Sequence, residues 1–180
     1  MPGYCILLRG INVGGRNKLS MSQLRDLLAD IGCQSVSTYI QSGNVICQHP
    51  KTPAAELADK VKLAVLQELQ LEIGVWAAEA PSFLATVEQN PFVEAAEQAN
   101  QLHVFFCQQR LTSDHIQQEK LQNLLAPTER FQIIDSCLYL HAPAGIGRSK
   151  FASSVERVLE QDLTARNWRT IEKLCQMLQA

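Results

Sequence analysis

The sequence predicts an α+β protein built of two ferredoxin-like halves, each of βαββα type with an antiparallel sheet, and a C-terminal helix. Three observations carry that prediction. Apolar runs of strand length alternate with stretches whose apolar residues recur at helical spacing. Pairs of short runs flank Ser42-Gly43 and Asp135-Ser136, as hairpins require. The element order of residues 1–79 also recurs in large part after Gln101, without likeness of sequence, as an internal duplication leaves it.

Tyr4 to Leu8 is an apolar strand. After a glycine-rich loop, Ser20 and Gln23 form a capping box, and Leu24, Leu27, Leu28 and Ile31 continue at helical spacing until Gly32 stops the helix. Ser35 to Gln41 and Asn44 to Gln48 form a hairpin across Ser42-Gly43. Thr52-Pro53 opens a second helix, with Thr as N-cap and Pro in the first turn, and turns Leu57, Val61, Ala64, Val65 and Leu69 inward. Glu72 to Ala77 supplies a last strand and completes the order β-α-β-β-α-β.

Residues 80–101 read as a helical connector, so the expected division is 1–79, 80–101 and 102–180. Its short helix starts near Pro81 and stops at Asn90-Pro91. The second half then gives a strand Leu102 to Cys107, a helix from Asp114 to about Leu125, and a hairpin of Phe131 to Asp135 and Cys137 to His141. Pro143-Ala144-Gly145-Ile146-Gly147 leads into a helix of about Lys150 to Gln161. This half is expected to end on a helix instead of a strand, capped by Thr164 and buried along Trp168, Ile171, Leu174, Cys175 and Leu178.

A chain of 180 residues, 46% hydrophobic and 19% charged, buries a real core and is not disordered. Its net charge of −2 excludes a surface that coats nucleic acid throughout and leaves room for a small basic patch only. The N-terminal residues lack a basic-then-apolar leader and no apolar run is long enough to cross a bilayer, so the expectation is a cytoplasmic protein with no membrane partner. Six cysteines without a C-x-x-C pair and four dispersed histidines read as buried thiols with no metal site.

Residues able to carry chemistry gather in three places. The first is the stretch Leu7-Leu8-Arg9-Gly10-Ile11-Asn12-Val13-Gly14-Gly15-Arg16-Asn17-Lys18, around which the rest is organised. Arg9, Arg16 and Lys18 bring positive charge, Asn12 and Asn17 bring orientation, Gly14 and Gly15 let a ligand approach, and the helix opened by Ser20 aims free amides at the same space. In the ferredoxin-like order this loop and the first hairpin leave the sheet at one end, which places Asn12, Asn17 and Lys18 near Gln41, Ser42 and Asn44. The second place is Gly145 to Lys150: Ser149 is a natural N-cap, while Arg148 and Lys150 stand where cations are unfavourable unless they face an anion. The third is Thr164 to Trp168, with Arg166 and Asn167 in the first turn of the last helix. An intervening helix about 18 Å long, at ~1.5 Å per residue, is expected to hold the second and third places at opposite ends. Turn and cap chemistry alone also account for these glycines, asparagines and Ser149, so binding and purely structural roles both stay open.

Familiar catalytic patterns are missing. Gly10 and Gly15 have the P-loop interval, but Arg16-Asn17 follows where Lys and Ser/Thr are required. There is no G-x-G-x-x-G fingerprint, no G-x-S-x-G elbow, no H-E-x-x-H and no evident Cys-His pair, so no catalytic residue is assigned.

With these motifs in view, the chain resembles the family of bacterial proteins grouped as domain of unknown function 1697. The resemblance rests on Leu8 to Gly15 with Asn17, on Thr38 to Val45, on Asn90-Pro91-Phe92, on Gly147-Arg148-Ser149-Lys150 and on Thr164 to Trp168. It implies two ferredoxin-like halves and brings no activity, cofactor or catalytic residue with it. The functional expectation is a small anionic ligand, a nucleotide or phosphorylated metabolite, bound by the glycine-rich basic loops. Its alternatives are a homodimeric structural or interaction module without a ligand, and single-stranded nucleic-acid binding on an open sheet, for which Tyr39, Phe105 and Phe106 are the candidate stacking residues.

Overall fold

The computed structural model describes residues 1–180. The chain divides into two compact units, Met1–Ala85 with Lys173–Ala180, and Thr86–Glu172.

In the first unit the order is β1 (Gly3–Arg9), α1 (Met21–Asp30), β2 (Gln34–Tyr39), β3 (Asn44–Gln48), α2 (Ala54–Leu69) and β4 (Gly74–Glu79). The strands form one antiparallel sheet in the order β2-β3-β1-β4. Alternation along the strands puts Tyr4, Ile6 and Leu8 of β1 and Val45 and Cys47 of β3 on the helix side, against Leu24 and Leu28 of α1 and Leu57, Val61 and Val65 of α2. Ser20 caps α1 through the expected capping box with Gln23. The cap of α2 differs from expectation. Pro53 stands at its N-cap position without a side-chain cap; the Thr52 hydroxyl donates to the Pro50 carbonyl (2.9 Å), the backbone N–H of Thr52 donates to the Tyr4 hydroxyl (3.1 Å), and that hydroxyl donates back to the Thr52 carbonyl (2.8 Å). The fourth strand lies two residues later than its apolar run suggests, set by the pairing of Gly74 to Glu79 with Arg9 to Tyr4.

α3 (Ala80–Glu88) runs from the first unit into the second, where a 3-10 turn at Val93–Gln98 precedes β5 (Leu102–Phe106), α4 (His115–Leu124), β6 (Arg130–Ile134), β7 (Cys137–His141), α5 (Lys150–Leu159) and β8 (Thr164–Asn167); α6 (Trp168–Gln179) begins in the second unit and from Lys173 belongs to the first. The order β6-β7-β5-β8 repeats the first sheet strand for strand. Phe105, Leu138 and Leu140 face Leu121, Phe151, Val155 and Leu159 on one side of it. Glu94 is ion-paired with Arg130 at 2.6 Å, and that guanidinium lies 4.9 Å above the Phe92 ring.

The expectation that the second half ends on a helix without a fourth strand is corrected. Thr164 to Asn167 pair antiparallel with Phe106 to His103, and the helix begins only at Trp168. Four residues are too few to show alternation, so only their long-range partner identifies them as a strand. Thr164 is therefore not the cap. The Asn167 side chain takes that role by accepting the Thr170 N–H at 2.9 Å.

All six cysteines are buried, and none is in a disulfide. His103 on β5 is also buried, and its Nδ1 has no partner. Burial pushes its pKa down to about 4, partly offset by a hydrogen bond to the Gln101 backbone.

Two outcomes follow from this packing. Because the folded pKa of His103 is depressed, its neutral form contributes stability that is present above its unfolded value near 6.5 and is lost as pH falls toward 4. The loss amounts to about 3 kcal/mol, and it should appear in urea titrations as a pH slope that His103→Leu abolishes. The second concerns Gly43, at φ +74°, where an added Cβ would lie 2.6 Å from Leu8 Cβ and 2.9 Å from Ile11 Cδ1. Gly43→Ala is expected to cost about 2–4 kcal/mol in the same assay.

Candidate functional site

The loop between β1 and α1 is shaped by its own side chains. Val13 and Arg16 close a tight turn through the Arg16 N–H and the Val13 carbonyl at 3.0 Å, with Gly14 (φ +57°) and Gly15 (φ +76°) supplying the positive φ pair of a type I′ turn. Asn12 and Asn17 are left-handed too, and the Asn17 side chain donates to the Gly10 carbonyl at 2.9 Å.

Asn12 fastens this loop to the neighbouring hairpin. Its Nδ2 donates to the carbonyls of Leu19 and Gln41, both at 2.8 Å, and its Oδ1 accepts the Leu19 N–H at 2.9 Å. Asn44, fully buried at the start of β3, donates to the Tyr39 carbonyl (3.1 Å) and the Ser42 hydroxyl (2.8 Å), and the Leu8 N–H donates to the Gly43 carbonyl at 2.8 Å. Asn12, Asn17, Gln41, Ser42 and Asn44 are thus brought to one end of the first sheet, as its topology predicts. The three asparagine side chains hold backbone there.

What faces outward is cationic and apolar. Residues 9–25 and 34–44 carry Arg9, Arg16, Lys18 and Arg25 and no carboxylate. Arg16 and Lys18 are exposed and neither is ion-paired; Arg25 donates to the Thr38 hydroxyl at 3.0 Å, and Arg9 is half-buried at the end of β1. The N–H groups of Met21 and Ser22, in the first turn of α1, have no intrahelical acceptor, and that turn carries no acidic residue. Val13 is 67% and Ile40 52% exposed, and Ile40 is left-handed at φ +48°. Sequence reasoning missed Ile40, because its conformation is set by the hairpin and not by its own preference.

The second and third places lie in the other unit. Ser149 caps α5 by accepting the Ala152 N–H at 3.0 Å, and Arg148 and Lys150 beside it are exposed. Arg166 and Asn167 stand on β8, not in a helical turn, opposite Val104 and His103. The separation expected of these places is corrected as well. β8 runs back along the sheet, so Asn167 returns to the end from which the β7–α5 loop leaves after His141, the partner of Leu102. With β5 between β7 and β8, about 10 Å divides their strands. Arg166 turns its guanidinium onto the Ala165 carbonyl at 2.8 Å. A recess of about 410 Å³ at the far end of this sheet is lined by Cys107, Glu156, Glu160 and Asp162, the wrong sign for an anion. Phe105 and Phe106 are buried and cannot stack on a base.

If the Asn12 clasp holds the loop, Asn12→Gly, which keeps φ positive and deletes three hydrogen bonds, should cost about 1–3 kcal/mol and speed amide exchange across residues 10–19 and 40–43. Lys18→Ala should leave stability within about 0.5 kcal/mol of the parent.

Comparison with known proteins agrees with this architecture. The family described as "Protein of unknown function (DUF1697)" matches residues 1–139, and the chain belongs to it. The Gly147 to Lys150 and Thr164 to Trp168 motifs lie beyond the matched segment. No curated protein matches the chain. The solved structure of the conserved bacterial protein SP0830 from Streptococcus pneumoniae is similar at a TM-score of 0.73 and 23% identity, over 98% of both chains. That likeness concerns the fold alone. No helix is long and apolar enough to cross a membrane.

Proposed function

We propose that this member of the DUF1697 family binds a small anionic ligand, a nucleotide or phosphorylated metabolite, at the loop between β1 and α1. The observation that carries the reading is the charge of that loop: Arg16 and Lys18 are exposed, unpaired and without a carboxylate among residues 9–25. Cations gathered without counter-charge repel one another and are relieved by an anion. The free amides of Met21 and Ser22 add hydrogen-bond donors at the positive end of α1. Since Asn12 and Asn17 already fix the backbone, little order remains to be imposed on binding. Arg148 and Lys150, at the start of α5, are a second and weaker candidate, because Ser149 is already committed to its cap.

No reaction is proposed. Six buried thiols, none in a disulfide, support a reducing compartment, the cytoplasm. The second reading, a homodimeric interaction module, is favoured by Leu63 and Leu66, both exposed and three residues apart on α2. For single-stranded nucleic acid there is no comparable support, since the sheet residues Leu7, Trp76, Val104 and Phe106 are buried.

A thermal-shift screen with nucleotides, sugar phosphates and coenzymes tests the proposal. A ligand at about 100 times its Kd should stabilise the protein by about 2.7 kcal/mol, a shift of several degrees, and Lys18→Ala should remove the shift while leaving the ligand-free Tm in place. No shift across the panel would transfer the reading to the interaction module.

A further inference from the structure

At the tip of the first unit two aliphatic side chains stand in water beside the cations, and nothing in the folding of the unit accounts for them. Val13 is 67% exposed ahead of the Gly14-Gly15 turn. Ile40 is 52% exposed and held at φ +48°, a backbone region that β-branched residues avoid and that glycine or asparagine occupies at lower cost. An isoleucine there is unfavourable both for the backbone and for solvation, and such local conflicts with folding mark residues kept for function.

The Asn12 amide shows how near the backbone that carries these side chains lies to that of the cations. One nitrogen donates at 2.8 Å to the Gln41 carbonyl and at 2.8 Å to the Leu19 carbonyl, so the two oxygens lie no more than about 6 Å apart. Ile40 adjoins the first of these residues and Lys18 the second, while Val13 follows Asn12 itself. A Cβ built on Gly10, Gly14 or Gly15 meets no atom within 4 Å, so the outer face of the loop is open.

We infer that the anion taken at this tip carries a flat apolar group beside its phosphate, which rests on Ile40 and Val13 while the phosphate meets Lys18 and Arg16. The ligand class is therefore a nucleotide, not a sugar phosphate or free phosphate. This rests on the anion-binding reading above and makes Ile40 a residue that determines specificity.

Calorimetric titration of the full chain with adenosine monophosphate, ribose 5-phosphate and inorganic phosphate separates the two. The first two share the phosphate and the sugar and differ by the base alone. The nucleotide should bind about tenfold or more tighter than ribose 5-phosphate, as apolar contact of this extent allows. Ile40→Asn should erase that advantage and raise the ligand-free Tm by about 2–4 °C as the backbone strain is relieved. Val13→Ser, on the open turn, provides the same test if Ile40→Asn fails to fold. Equal binding of all three probes would overturn the inference and leave the anion site standing. A nucleotide preference that survives both substitutions would also overturn it. Binding of none would remove the anion site as well.

Discussion

The carboxamide of Asn12 is the interaction on which the candidate surface depends. A single side chain joins the loop after β1, the residue before the α1 cap and the β2–β3 hairpin through three hydrogen bonds, and a second asparagine closes the loop on itself. Backbone groups in a connecting loop otherwise turn to water and leave it mobile. Here they are satisfied internally by short amides, which tolerate the left-handed conformations that the path requires. Arg16 and Lys18 are thereby offered from a fixed frame, at the positive end of a helix whose first turn has no acid to neutralise it.

The two units repeat one topology with different chemistry. Both sheets place the second strand at an edge and the first in the middle, so in each the loop after the first strand and the first hairpin leave at the same end. In the first unit that end is cationic and free of carboxylates between residues 9 and 25. In the second, the corresponding end holds the acidic recess near Cys107, and the basic residues Arg148 and Lys150 stand at the opposite end. The inward residue near the start of the central strand differs too. Tyr4 finds two backbone partners in Thr52, whereas His103 is left with an unpartnered Nδ1 and a depressed pKa. A shared fold thus says little about shared function, which resides in the side chains at each sheet end.

The periodicities of the chain determined most of the fold. The capping box at Ser20, the apolar stripes on α1 and α2, and the hairpin turns are local signals that need no distant partner, and the structure has them at the positions that the spacing predicts. The gathering of Asn12, Gln41 and Asn44 at one sheet end was also legible, because alternating strand directions follow from element order. Tertiary structure alone decided the rest. β8 is a strand because β5 offers it an edge, and that moved Arg166 and Asn167 out of the last helix. Pro53 stands at the N-cap position of α2 with no side-chain cap, and the Tyr4 hydroxyl, 48 residues away, holds the backbone of Thr52 before it. Ile40 is left-handed because the hairpin must turn there. The first two outcomes depend on partners far away in sequence and the third on a hairpin path that the preference of isoleucine opposes, and hydrophobic spacing and local propensity encode neither.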